Sequence, residues 1–124
     1  MTGLLKRPAV WWLAFVSWAV VLWWLSSRPG SGALPAIPHL DKVLHAGYFF
    51  LGGMLFQTAL SCGERAVASR TRMILGLLVA LSVGVLDEYH QTFTPGRSGN
   101  DPWDLLADVV GGCVAAWICT KRES

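Results

Sequence analysis

The stretch AVWWLAFVSWAVVLWWL, residues 9–25, carries no charged side chain over 17 residues. At a rise of about 1.5 Å per residue, a helix of this length measures roughly 26 Å, enough to cross the hydrocarbon core of a thin bilayer. The stretch therefore predicts a membrane-spanning helix. The whole chain agrees with this, because only 15% of its 124 residues are charged, against roughly 25% in a soluble domain.

A cleavable signal peptide is the alternative interpretation of this stretch, since Lys6 and Arg7 precede it. Signal peptides have an apolar core of about 7–15 residues and small residues at the cleavage site. The run here is longer, contains five tryptophans and is not followed by an obvious A-x-A sequence. We therefore expect an uncleaved membrane anchor.

Three further apolar segments follow the first along the chain. The four predicted spans cover about residues 9–25, 43–60, 73–92 and 102–119. Asp101 and Pro102 precede the last span and suit the N-cap and first turn of a helix. The sequence therefore predicts an all-α fold, a single domain over residues 1–124 that forms a four-helix transmembrane bundle.

The orientation of the bundle follows from the positions of its cations, because Lys and Arg in short loops collect on the cytoplasmic side. With a cytoplasmic amino terminus, seven of these residues lie inside and three outside. The inside set is Lys6, Arg7, Arg65, Arg70, Arg72, Lys121 and Arg122, and the outside set is Arg28, Lys42 and Arg97. We expect a multi-pass protein of the inner (cytoplasmic) membrane with both termini in the cytoplasm.

This topology brings three polar stretches to the extracytoplasmic face. They read DKVLHAGYFFLGG from residue 41, DEYHQTFTPGR from residue 87 and DPWDLLADVVGG from residue 101. Side chains three, four or seven positions apart share one face of a helix. Such stripes are formed by Asp41, His45 and Tyr48, by Asp87 and Gln91, and by Asp104 and Asp108. Small residues at positions 111, 112, 115 and 116 extend the last stripe and allow close helix contact.

The carboxylates of these stripes lie too deep to face lipid. Asp108 lies about 10 Å along the helix axis from Asp101 at the usual helical rise. A carboxylate exposed to lipid near the bilayer centre costs at least about 2.5–3.5 kcal/mol. We therefore expect the acids to face one another, the nearby basic groups or water. The groups concerned are Asp41, Asp87, Glu88, Asp104 and Asp108 with Lys42, His45 and Arg97.

The chain resembles the VanZ-like family, named for a glycopeptide-resistance accessory protein that lowers susceptibility to teicoplanin. The resemblance rests on DKVLHAGYFFLGG and on DEYHQTFTPGRSGNDPWDLLADVVGG, and it covers roughly residues 37–119. Residue by residue, it implicates Asp41, Lys42, His45, Asp87, Glu88, Gln91, Arg97 and Asp104. This chain departs from the family pattern at Asp108, where Asn is usual. The resemblance implies an envelope membrane protein and supplies no settled reaction.

Our leading hypothesis is a protein that recognises a lipid-linked or cell-wall-related head group outside the cytoplasm, where teicoplanin also acts. Lys42 and Arg97 would contact phosphate or carboxylate. The remaining ligand-binding candidates are Asp41, His45, Tyr48, Asp87, Glu88, Gln91, Asp104 and Asp108. The first alternative is a membrane-embedded acid/base or metal-assisted enzyme acting on a lipid head group, with His45, Asp87 and Glu88 as catalytic candidates. The second is a purely structural polar cluster.

Other classes receive less support from the sequence. The net charge of +2 and the scattered cations argue against a nucleic-acid partner. The polar residues mark no continuous path across the membrane, which argues against a transporter in a single chain. Cys62, Cys113 and Cys119 lack CxxC spacing, so no disulfide framework or zinc motif is implied. We expect no resident metal or cofactor. The expected partners are the lipid bilayer and a lipid-linked or cell-wall precursor. A homo-oligomer that forms through glycine-lined helix faces is a further alternative.

Overall fold

The computed structural model describes residues 3–29, 37–97 and 99–122, and no strand occurs in these ranges. A short 3-10 helix, Gly3–Lys6, precedes four long helices. They are α1 (Pro8–Ser26), α2 (Leu40–Ser61), α3 (Ser69–Gln91) and α4 (Pro102–Lys121). Each is long and apolar enough to cross a membrane. The prediction of an all-α bundle of four such helices is confirmed.

Local chemistry determines where the helices around the polar residues begin and end. The Asp101 side chain accepts a hydrogen bond from the Trp103 backbone N–H at 2.9 Å, and Pro102 occupies the first turn of α4. This is the N-cap arrangement expected from the sequence. After α3, the Arg97 N–H donates to the Thr94 carbonyl at 3.2 Å. Gly96 lies within this turn at φ 74°, a backbone conformation that favours glycine.

The start of α3 differs from the start of its hydrophobic run. The run begins at Met73, whereas the helix begins at Ser69 and so includes Arg72. Arg72, which the orientation argument counts among the cytoplasmic loop cations, is only 2% exposed. Its guanidinium donates to the Gln57 side-chain oxygen at 3.0 Å. A hydrogen-bonded partner on α2 therefore lets a cation enter a helix that hydropathy alone would start later.

Small residues let α2, α3 and α4 approach closely. A Cβ atom at Gly111 of α4 would collide with the Ala46 carbonyl oxygen of α2, and one at Gly53 would lie 2.7 Å from the Ala115 Cβ. On the other side of α4, a Cβ at Gly112 would lie 2.5 Å from the Ala80 Cβ of α3. In lipid, such contacts between helix backbones are a main source of packing energy.

Trp18 attaches α1 to this three-helix core. It is 6% exposed, and its ring packs against Phe49 and against the backbone at Gly52. The indole N–H donates to the Tyr48 carbonyl at 3.0 Å, and the Tyr48 hydroxyl donates back to the Trp18 carbonyl at 2.9 Å. This reciprocal pair fixes the rotation of α1 about its axis relative to α2. It thereby determines which residues of α1 face the polar groups.

The ends of α1 and α3 lie beside the starts of α2 and α4, and we call this part of the bundle the polar end. Ser26 of α1 contacts Asp87 of α3 there. Lys42 of α2 contacts Asp104 of α4 at 2.5 Å. All three polar stretches of the sequence therefore meet at one end of the molecule.

Candidate functional site

Lys42 joins the first turn of α2 to the start of α4. Its ammonium group lies 2.8 Å from Asp41, 2.8 Å from Asp101 and 2.5 Å from Asp104. An ammonium group has three N–H donors, and these three carboxylates use all of them. The hydrogen bond from Lys42 holds the pKa of Asp101 below its ordinary value. Lys42 therefore acts first as a clamp between two helices.

His45 lies one turn deeper and contacts Asp108. The distance between His45 Nδ1 and Asp108 Oδ1 is 2.8 Å, and Asp108 is fully buried. The other ring nitrogen, Nε2, lies 3.6 Å from Asp104 Oδ2. The two groups share one hydrogen bond, and which of them donates depends on where the proton lies. The imidazole is thus oriented by one acid and approached by a second.

Asp87 connects α3 to the end of α1. It accepts a hydrogen bond from the Ser26 hydroxyl and one from the Gln91 side-chain amide at 2.8 Å. The Thr94 hydroxyl donates to the Ser26 carbonyl at 2.8 Å and closes the arrangement. No sequence pattern predicted a role for Ser26, since this residue follows an apolar run and belongs to none of the three polar stretches. A serine at this position carries no motif signal.

Glu88 connects α3 to the N-cap of α4. Its Oε2 atom accepts a hydrogen bond from the Asp101 backbone N–H at 2.9 Å. Its Oε1 atom and the Oδ2 atom of Asp108 are buried without a hydrogen-bond partner among the described residues. Buried carboxylate oxygens normally accept at least one hydrogen bond, so two oxygens in one cluster without a partner among the described residues call for a physical explanation.

We call Asp87, Glu88, Asp104 and Asp108, together with His45, the acidic cluster. Ligand atoms of His45, Glu88 and Asp104 lie within 4.8 Å of one another, and so do those of Asp87, Glu88 and Asp108. All four acids are at most 8% exposed. The structure therefore brings four of the predicted acids and the predicted histidine together.

The other candidate residues lie around this cluster and make different contacts. Asp41 has a half-exposed side chain that pairs with Lys42. The hydroxyl of Tyr48 donates its hydrogen bond to the Trp18 carbonyl of α1. Arg97 donates from Nε to the Arg28 carbonyl and from Nη2 to the Leu25 carbonyl, each at 3.1 Å. Arg97 thus caps the end of α1 and forms no ion pair with an acid of the described chain.

A cavity of about 370 Å³ opens beside the acidic cluster, between α1, α2 and α3. We call it the lateral cavity. Its polar lining consists of Ser26, Asp41, His45, Tyr48, Asp87, Gln91 and Arg97. Its apolar lining consists of Leu22, Leu25, Leu44 and Phe49. One wall therefore suits a polar group and the other suits a hydrocarbon chain.

Comparison with known proteins agrees with the motifs that surround this cavity. The profile of the VanZ/LLP1 family matches residues 7–121, nearly the whole chain and all four helices. The chain belongs to the VanZ/LLP1 family. Family membership and four apolar helices indicate a multi-pass membrane protein, and the resemblance drawn from the polar motifs is confirmed. No curated protein and no solved structure matches the sequence of this VanZ/LLP1 member.

Proposed function

We propose that this VanZ-family protein binds a lipid-linked or cell-wall-related head group in the lateral cavity and thereby lowers susceptibility to glycopeptides such as teicoplanin. In this proposal the protein is a single domain of the inner (cytoplasmic) membrane. Both termini are cytoplasmic, and the polar end faces the outer leaflet. A head group in that leaflet would then reach the cavity without crossing the membrane.

The lining of the lateral cavity is the observation that carries the proposal. A volume of about 370 Å³ falls within the usual range of about 300–1,000 Å³ for ligand pockets. Polar groups of α2 and α3 line it together with apolar side chains of α1, including Leu22 and Leu25. This amphipathic lining suits a molecule that carries a polar head on a hydrocarbon chain.

Arg97 is the residue best suited to an anionic part of the head group. It lines the cavity, and its Nε and Nη2 atoms donate hydrogen bonds to backbone carbonyls at the end of α1. The guanidinium has five N–H donors, so donors are left for a phosphate or carboxylate. Lys42 is bound to three acids and serves to hold α4 in place. Asp87 and Gln91 would contact hydroxyl or amino groups beside the anion.

Arg97→Gln tests this assignment most directly. We expect the variant to retain about one tenth or less of the lipid that co-purifies with wild type, because charge-assisted hydrogen bonds contribute about 1.5–3 kcal/mol. Asp87→Asn should reduce co-purified lipid as well. Mass spectrometry of the purified protein and the teicoplanin susceptibility of expressing cells are the two measurements. Arg65→Gln, in the exposed connection between α2 and α3, is the matched control.

The proposal fails if Arg97→Gln and Asp87→Asn both leave the bound lipid and the susceptibility at wild-type values. The orientation has its own test. A reporter fused after Arg97 should be active only if that loop lies outside the cytoplasm. A cytosolic signal from this fusion would remove the outer-leaflet assignment.

A membrane-embedded acid/base enzyme acting on the head group is the second candidate, favoured by the His45 and Asp108 pair. A carboxylate that orients a histidine is a common arrangement for general acid/base catalysis. The nucleophile would be water or the substrate itself. Conversion of a lipid-linked phosphate by purified wild type, and its loss in His45→Gln with unchanged lipid binding, would support this candidate over a binding protein.

A further inference from the structure

Two buried oxygen atoms at the polar end have no hydrogen-bond partner among the described residues. Glu88 Oε1 and Asp108 Oδ2 receive no hydrogen bond within the described part of the chain. The residues are 4% and 0% exposed. A buried ionised oxygen without a partner carries a large desolvation cost. This desolvation cost must be offset, either by a proton on the carboxylate or by a bound cation.

The spacing of the carboxylates of Asp87, Glu88 and Asp108 fits a metal ion. One carboxylate oxygen from each of Asp87, Glu88 and Asp108 lies within 4.8 Å of the others. Oxygen ligands on opposite sides of Mg²⁺ are about 4.2 Å apart, and those of Ca²⁺ are about 4.6–5.2 Å apart. A separation of up to 4.8 Å matches Ca²⁺ directly, and the three side chains would close by at most about 0.6 Å around the smaller Mg²⁺.

The charge balance also favours a cation over further hydrogen bonds. Asp87 and Glu88 have only neutral donors as partners, namely Ser26 and Gln91 on Asp87 and a backbone N–H on Glu88. Asp108 is paired with the His45 ring at 2.8 Å. No Lys or Arg of the described residues forms an ion pair with these three acids. A divalent ion would neutralise most of the remaining negative charge.

Gly84 leaves space beside the triad. It lies one turn before Glu88 on α3, and a Cβ atom there would lie 3.2 Å from Asp108 Oδ2. The absence of a side chain at this position lets the Asp108 carboxylate approach α3. The oxygen that lacks a partner is therefore directed toward the helix that carries Asp87 and Glu88.

We propose that Asp87, Glu88 and Asp108 bind a divalent cation that prefers oxygen ligands, of the class formed by Ca²⁺, Mn²⁺ and Mg²⁺. This site goes beyond head-group recognition and revises the sequence-based expectation of no resident metal. Asp108 is also the position at which the chain departs from the family pattern. The added carboxylate completes an all-oxygen triad that Asn would leave with one charge fewer.

Mn²⁺ binding to tag-free, EDTA-treated protein in detergent tests the site, with free Mn²⁺ measured by electron paramagnetic resonance. We expect about one Mn²⁺ per chain, displaced by excess Mg²⁺. Glu88→Gln and Asp108→Asn should each weaken binding at least about tenfold, since each removes a charged ligand. Glu64→Gln, the same change in an exposed loop, should stay within twofold of wild type.

Three results would overturn the proposal. The first is no Mn²⁺ bound by wild type at millimolar concentration, which would mean that a proton balances the buried acids. The second is wild-type affinity in folded Glu88→Gln and Asp108→Asn. The third is a directly coordinated histidine nitrogen in the spin-echo spectrum of wild type, which would place the ion at His45. This last measurement decides the matter even if both variants fail to fold.

Discussion

The two ends of the bundle bury polar side chains in opposite ways. Opposite the polar end, Gln57 and Arg72 satisfy each other. Gln57 accepts from the Arg72 guanidinium at its side-chain oxygen and its backbone carbonyl, and its amide donates to the Arg72 carbonyl at 3.0 Å. At the polar end, four acids share few donors, and two oxygens have no partner in the described residues. A polar contact that only joins helices can pair its own donors and acceptors. The acidic cluster instead has carboxylate oxygens without a partner among the described residues, and these could bind a ligand.

Removing the clamp at the polar end should have the largest effect. Lys42→Met leaves Asp101 and Asp104 beside each other without their cation. We expect a loss of about 3 kcal/mol in the free energy of unfolding, the lower end of the range for breaking a buried ion pair, because the lysine is partly exposed. Denaturant titration in mixed micelles measures it. Lys121→Met, at the exposed end of α4, should change stability by less than about 0.5 kcal/mol.

Breaking the pair at the other end should cost somewhat less. Gln57→Leu removes the side-chain oxygen that accepts from the Arg72 guanidinium, and we expect a loss of about 2 kcal/mol. Lipid co-purification and Mn²⁺ affinity should stay at wild-type values in the folded fraction. A change in either would show that this end also contributes to ligand binding, and the contrast between the two ends would fail.

The acidic cluster should respond in the opposite direction when one charge is removed. In EDTA, Glu88→Gln keeps an oxygen for the Asp101 N–H but removes one of several neighbouring negative charges. We expect the metal-free variant to be more stable than metal-free wild type by about 1 kcal/mol, because like charges in a low-dielectric site repel. Thermal unfolding measures the difference. A variant less stable than wild type would indicate that the cluster is balanced internally and needs no added cation.

The smallest expected effect concerns pH and Asp101. Its pKa is lowered, chiefly by the hydrogen bond from Lys42. The resulting stabilisation is fully present above the ordinary aspartate pKa of about 3.9 and is lost as the pH falls through the lower, folded-state value. Asp101→Asn retains the helix cap. The difference in melting temperature between wild type and Asp101→Asn should therefore shrink from pH 5 toward pH 2. A constant difference would exclude this ionic contribution.

Several features of the site followed from spacing along the chain. Asp104 and Asp108 are one helical turn apart, so they share a face, and their depth makes exposure to lipid costly. The partners of these residues did not follow from spacing. Glu88 binds a backbone N–H, and Arg97 caps α1. Both depend on where a neighbouring helix ends in space, which a periodic pattern in one segment does not encode.

The sequence by itself determined that four helices span an apolar medium, because predominantly apolar segments of this length with at most two charged residues have few other stable environments. It also determined which residues collect at one end, since the runs reverse direction at known positions. Only the tertiary structure decided which atoms meet. Backbone contact at Gly111 and the hydrogen bonds of Trp18 set the rotation of each helix about its axis. That rotation directs Ser26 to Asp87 and leaves Glu88 and Asp108 each with an open oxygen.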